Sequence, residues 1–92
     1  MSYLCYKISA GGQHGKPIRI ESTDENLCAF VARIKLNECY VITDLSDNFV
    51  LDTIGNFFDR CMDKDLLQRL VPIITPMQMG EVEVPSVKYI DN

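Results

Sequence analysis

The stretch at residues 47–63, DNFVLDTIGNFFDRCMD, constrains this 92-residue chain most, because it reads either as one long helix or as part of a hairpin. On a wheel of about 100° per residue, Val50, Leu51, Ile54, Phe57, Phe58, Cys61 and Met62 share an arc of roughly 140°. Asn48, Asp52, Asn56, Asp59 and Asp63 fall on the other side, and only Phe49 breaks the division. Ser46 or Asp47 can cap the first free amides, and Gly55 is the weak point. The rival reading pairs residues 40–53 as a hairpin, since TDLSDN has turn chemistry and YVIT and FVLDT are rich in β-branched and aromatic residues. That pairing leaves Phe57, Phe58 and Cys61 without a face to join. Periodicity sustained over several turns therefore favours the helix.

A chain of this length has room for one domain over residues 1–92, and its core must be single. Apolar residues make up 47% and charged residues 24%, which suits a globular protein and is too apolar for a disordered one. MSYLCYKIS carries Lys7 in its middle and lacks the apolar run of a signal peptide, and no segment approaches the ~20 apolar residues that span a bilayer. A cytoplasmic protein without a membrane segment is expected. Cys5, Cys28, Cys39 and Cys61 form no C-x-x-C pair, so reduced thiols packed as small hydrophobes are the expectation.

The net charge of −4 is unevenly spread. Residues 44–65 hold six acids against Arg60 and Lys64, while the rest of the chain carries acids and bases in equal number. With the excess centred on the long helix and no cluster of Lys and Arg, direct nucleic-acid binding is not expected.

Along the chain, SYLCYKIS alternates with high β-propensity and reads as an opening strand. AGGQHGKP breaks it, and PIRIE resumes as the second arm of a hairpin. Ser22, with Glu25 three residues on, forms a capping box for a helix carrying Leu27, Phe30, Val31 and Ile34 inward and stopping near Asn37. ECYVIT reads as an interior strand. Asp63 can cap KDLLQRLV, a short helix with Leu66, Leu67 and Leu70 inward, which Pro72 and Pro76 should curtail. PIITPMQMG then reads as irregular, closed by a left-handed Gly80. EVEVP and SVKYI supply one edge strand bent at Pro85. The expectation is an α+β fold, order β-β-α-β-α-α-β, with a three- to four-stranded mostly antiparallel sheet covered on one face by two or three helices.

Candidate chemistry is sparse. GGQHGKP lacks the Ser or Thr and the helix that a phosphate loop needs after its lysine, so it reads as a solvated hairpin loop. His14, the sole histidine, lies in that loop rather than on a rigid scaffold, and the cysteines lack paired metal-ligand spacing. No catalytic residue, metal or cofactor is assigned. Asp52, Asp59 and Asp63 form a row of carboxylates on the outer face of the long helix, suited to a basic groove on another protein. Carboxylates on a convex surface do not suit glycosidase-type acid/base work. Ile73, Met77 and Met79 form an apolar, methionine-rich patch, the kind of surface that adapts to a partner.

The sequence thus reads as a small non-enzymatic binding protein, an inhibitor, adaptor or regulatory subunit of the sort phages and mobile elements carry. It would engage a protein partner through Asp52, Asp59 and Asp63 or through Ile73, Met77 and Met79. The alternative is a homo-oligomeric structural protein, two copies joined through a C-terminal edge strand near residues 82–90 or through the methionine patch. A small metal or catalytic protein using His14 and the cysteines ranks third.

Overall fold

The computed structural model describes residues 1–8, 16–35, 38–53 and 63–90. The fold is α+β. Strands β1 (Ser2–Ile8), β2 (Ile18–Glu21), β3 (Cys39–Thr43) and β4 (Phe49–Asp52) form one antiparallel sheet in the order β2-β1-β3-β4. Helices α1 (Asp24–Ala32) and α2 (Lys64–Gln78) pack on it and on each other. Among the described residues no helix is long and apolar enough to cross a membrane.

Alternation along the strands sets the core. Cys5 lies opposite Ile18 and Ile42, and Ile42 lies opposite Leu51, so these side chains share one face of the pleat. Leu27, Cys28 and Phe30 from α1 and Leu66, Leu70 and Ile74 from α2 cover that face. The Phe30 and Tyr40 rings meet edge to face, 5.2 Å between centroids. The Cys28 thiol donates to the Leu70 carbonyl, and Arg69 pairs with Asp24 at 2.9 Å, joining the two helices.

The first correction concerns the long helix. Residues 49–52 are strand β4, so the hairpin reading holds there, while residues 54–62, with Asp59, Phe57, Phe58 and Cys61, lie outside the described residues. Local chemistry builds the turn. The Asp47 N–H donates to the Asp44 carbonyl, the Asp44 N–H donates to the Asn48 carbonyl, and Asp47 takes the left-handed conformation at φ 63°. A tight turn followed by a left-handed residue matches the right-handed twist of the flanking strands. The Asp44 carboxylate reinforces it by accepting from the Ser46 and Asn48 amides. Thr43 faces Phe49 but Ile42 faces Leu51, so Val50 is an extra residue, a bulge. Half-buried Val50 and buried Leu51 thus both pack on the core, two consecutive inward residues that imitate a helical pattern.

The second correction concerns α2, which runs through both prolines to Gln78. Asp63 caps it as expected, its Oδ1 accepting from the Asp65 and Leu66 amides. A proline removes the amide that would bond the carbonyl four residues earlier. For Pro72 and Pro76 those carbonyls belong to Gln68 and Pro72, both on the exposed side, where water can take the place of the lost donor. On the other side Leu66, Leu70 and Ile74 recur every four residues and hold the helix to the core. Gly80, at φ 75°, closes it, with Gly80 N–H to Met77 and Glu81 N–H to Pro76, the bond pattern of a left-handed helix end.

Two smaller corrections follow. Helix α1 is capped by Thr23, not Ser22, through Thr23 Oγ1 and the Asn26 amide, and it ends at Ala32, short of residue 37. Residues 83–90 form no regular element; residues 88–90 lie beside β2 and make a single bridge, Ile20 to Tyr89, in place of the expected strand.

Candidate interaction surface

Of the three residues expected to form an acidic docking face, Asp59 lies outside the described residues, and Asp52 and Asp63 do not form one together. Asp52 lies in β4 and is 3% exposed, on the side of the strand opposite Leu51. Asp63 is an exposed helix cap whose carboxylate is committed to backbone amides. Strand alternation turns Asp52 onto the face of the sheet away from Leu51 and the two helices, and it is buried there, where the outer side of a helix would have exposed it.

The methionine patch is sorted by α2. Ile73 and Met77, one turn apart, are half-buried and pack on the core. Met79 is 69% exposed. It continues a row begun by exposed Pro72 and half-buried Pro76, at i, i+4 and i+7 on the outer side of the helix. Val82, 49% exposed, follows just beyond the turn at Gly80, between exposed Glu81 and Glu83. Continuing the helix through its prolines therefore produces an apolar row facing water, flanked at one end by two acids. The sequence signal was present in the spacing of Pro72, Pro76 and Met79, but it was masked by the rule that prolines end helices.

Neither described buried thiol is poised for chemistry. Burial pushes Cys5 up to about 12 and Cys28 to about 12, the latter with added repulsion from Asp24 and Glu25. Both therefore stay protonated at neutral pH, whereas a nucleophile or metal ligand must be thiolate. No group of three or more His, Cys, Asp or Glu able to hold a metal ion occurs among the described residues. His14 and Cys61 lie outside them. On the rim, Lys7 and Glu38 pair at 2.9 Å, which raises the lysine and lowers the glutamate from their ordinary values.

Two polar residues that sequence reasoning passed over organise the opposite edge of the sheet. Asn26, 5% exposed, donates from Nδ2 to the Glu21 and Lys88 carbonyls at 2.9 and 3.0 Å and accepts the Lys88 amide at 2.7 Å. Arg33 donates to the carbonyls of Val84 and Pro85. Beside Asn26 an open cleft of about 300 Å³ is lined by Glu21, Thr23, Glu25, Pro85, Ser86 and Lys88. An asparagine three positions into a helix, where it is a poor helix former, was the available signal. Comparison with protein-family models, curated proteins and solved structures gives no match for this chain.

Proposed function

We propose that this chain is a non-enzymatic binding protein, an inhibitor, adaptor or regulatory subunit, that engages a protein partner through the outer row of α2. The observation that carries the reading is the row itself: Pro72, Pro76 and Met79 face solvent at helical spacing, with Val82 beside them. Exposed apolar groups that continue along one side of a rigid element mark interaction surfaces, and a methionine adapts its shape to what it meets. Glu81 and Glu83 at the end of the row suit a partner whose apolar groove is edged by Lys or Arg. Ile73 and Met77 act from behind by fixing the helix to the core. The acidic version of the reading, through Asp52, Asp59 and Asp63, is withdrawn, because Asp52 is buried in a strand. The C-terminal segment meets β2 at one rung, Ile20 to Tyr89, so it offers a second copy less strand edge than a dimer joined there would use.

The test starts from a partner recovered from the native host and identified by mass spectrometry. Titration calorimetry of that partner with a Met79→Glu, Val82→Glu variant should show affinity reduced tenfold or more, with the circular dichroism spectrum unchanged. Equal affinity would refute the α2 surface.

A further inference from the structure

Residues 84–90 are seated like a ligand. β2 supplies two backbone bonds, Glu21 N–H to the Lys88 carbonyl at 3.1 Å and Ile90 N–H to the Arg19 carbonyl at 2.9 Å, one on each side of the Ile20–Tyr89 rung. The next rung of an antiparallel ladder would join the Lys88 amide to the Glu21 carbonyl. Asn26 stands in that place, its carboxamide taking the amide with one end and the carbonyl with the other. Farther along, Arg33 takes two consecutive carbonyls, Val84 and Pro85. Every bond that these groups make to the segment reaches its backbone. Its side chains contribute Val87, packed on the core, while Tyr89 is 60% exposed.

The segment is joined to the rest of the chain by a slender link. Residues 78–83 are all exposed. The last amides there, those of Glu81 and Val82, bond back to Pro76 and belong to the end of α2. Residue 83 alone separates that helix end from the first carbonyl held by Arg33. A short link between a helix end and a segment held elsewhere is the feature that lets an identical element trade places between copies.

We infer that residues 84–90 form an exchangeable arm: the groove between β2 and α1 accepts this segment from a second copy of the chain, giving a reciprocal dimer hinged at residues 80–83 once the Glu81 and Val82 amides let go of Pro76. The occupant follows from the groove, since another copy's segment meets the same Asn26, Arg33 and β2 partners in the same register. The closed form is favoured only by the high local concentration of a tethered segment, so raising the protein concentration shifts the balance to the dimer. The groove shares no residue with the α2 row, although the hinge includes Val82, Glu81 and Glu83 at the end of that row.

The experiment uses the full unmodified chain. Equal amounts of ¹⁵N-labelled and unlabelled protein are refolded together from denaturant at high concentration, and the dimer fraction is separated by size. A carbodiimide then couples Lys88 to the carboxylates sharing its cleft, Glu21 and Glu25. Exchange gives Lys88–Glu21 or Lys88–Glu25 peptides in which mixed-isotope pairs are as abundant as same-isotope pairs. A chain that stays monomeric at every concentration, or a dimer whose Lys88 cross-links are all same-isotope, overturns the proposal. Neither outcome bears on partner binding by α2.

Discussion

The sheet has one outer strand at each side, and the two are secured by opposite means. At β4 the fixing is local: Asp44 and Asn48 close a five-residue connection with bonds that span no more than four positions. At β2 it is remote, since Asn26 and Lys88 are 62 positions apart and Arg33 and Val84 are 51 apart. Local turn chemistry forms with little loss of chain entropy, whereas a remote clamp closes a long loop before it gains anything. The β4 side should therefore form early and the β2 side last, and the β2 side should be the one that opens first.

The largest effect is expected where that comparison meets the core. Leu51 of β4 is fully buried, so Leu51→Ala should cost ~2–5 kcal/mol, read from urea unfolding. A loss under ~1 kcal/mol would mean β4 is not anchored as described.

Next comes the clamp. Asn26→Ala leaves the Glu21 and Lys88 carbonyls and the Lys88 amide without their shared partner. A cost of ~2–3 kcal/mol is expected, because each buried polar group left unpaired is expensive. Amide hydrogen exchange should accelerate at Lys88 and Ile90 and stay unchanged in β3 and β4. Uniform acceleration across the sheet would erase the distinction between the two sides.

The smallest effect is electrostatic and sharpens the local case. The Asn48 amide, then the Asn48 side chain and the Ser46 amide, hold the Asp44 carboxyl below its ordinary value. A carboxyl lowered on folding adds stability that is fully present above its unfolded pKa, ~3.9, and is lost as pH falls through the lower folded value. Carboxyl-carbon NMR should show Asp44 titrating below ~3.9, with Ser46 and Asn48 amide shifts moving at the same pH. An Asp44 midpoint at or above ~3.9 would contradict the turn geometry.

The same local and remote division explains what could be read from the sequence. Strands β1, β2 and β3, the Asp63 cap and the left-handed Gly80 all announce themselves within a few residues, and each is where the sequence placed it. Strand β4 was misread because its bulge sends neighbouring Val50 and Leu51 to one core, a pairing that alternation forbids and a helix allows. Helix α2 was cut short because its lost bonds lie on the wet side, which no pattern of types reveals until Leu66, Leu70 and Ile74 fix its orientation. The acidic face failed with β4, since Asp52 is buried in the sheet where the outer side of a helix would have exposed it. Asn26 and Arg33 were invisible for a different reason: the atoms they bind are backbone atoms of a distant segment, and any residue would present them.

The prolines of α2 carry one more consequence. Removing the Pro72 and Pro76 amides leaves the carbonyls of Gln68 and Pro72, on the solvent side, without the donor a helix normally supplies. Along this surface the main chain can receive protons in hydrogen bonds but has fewer of its own to give. A molecule settling on the row would match these carbonyls by bringing amide, lysine or arginine N–H groups in among its greasy side chains.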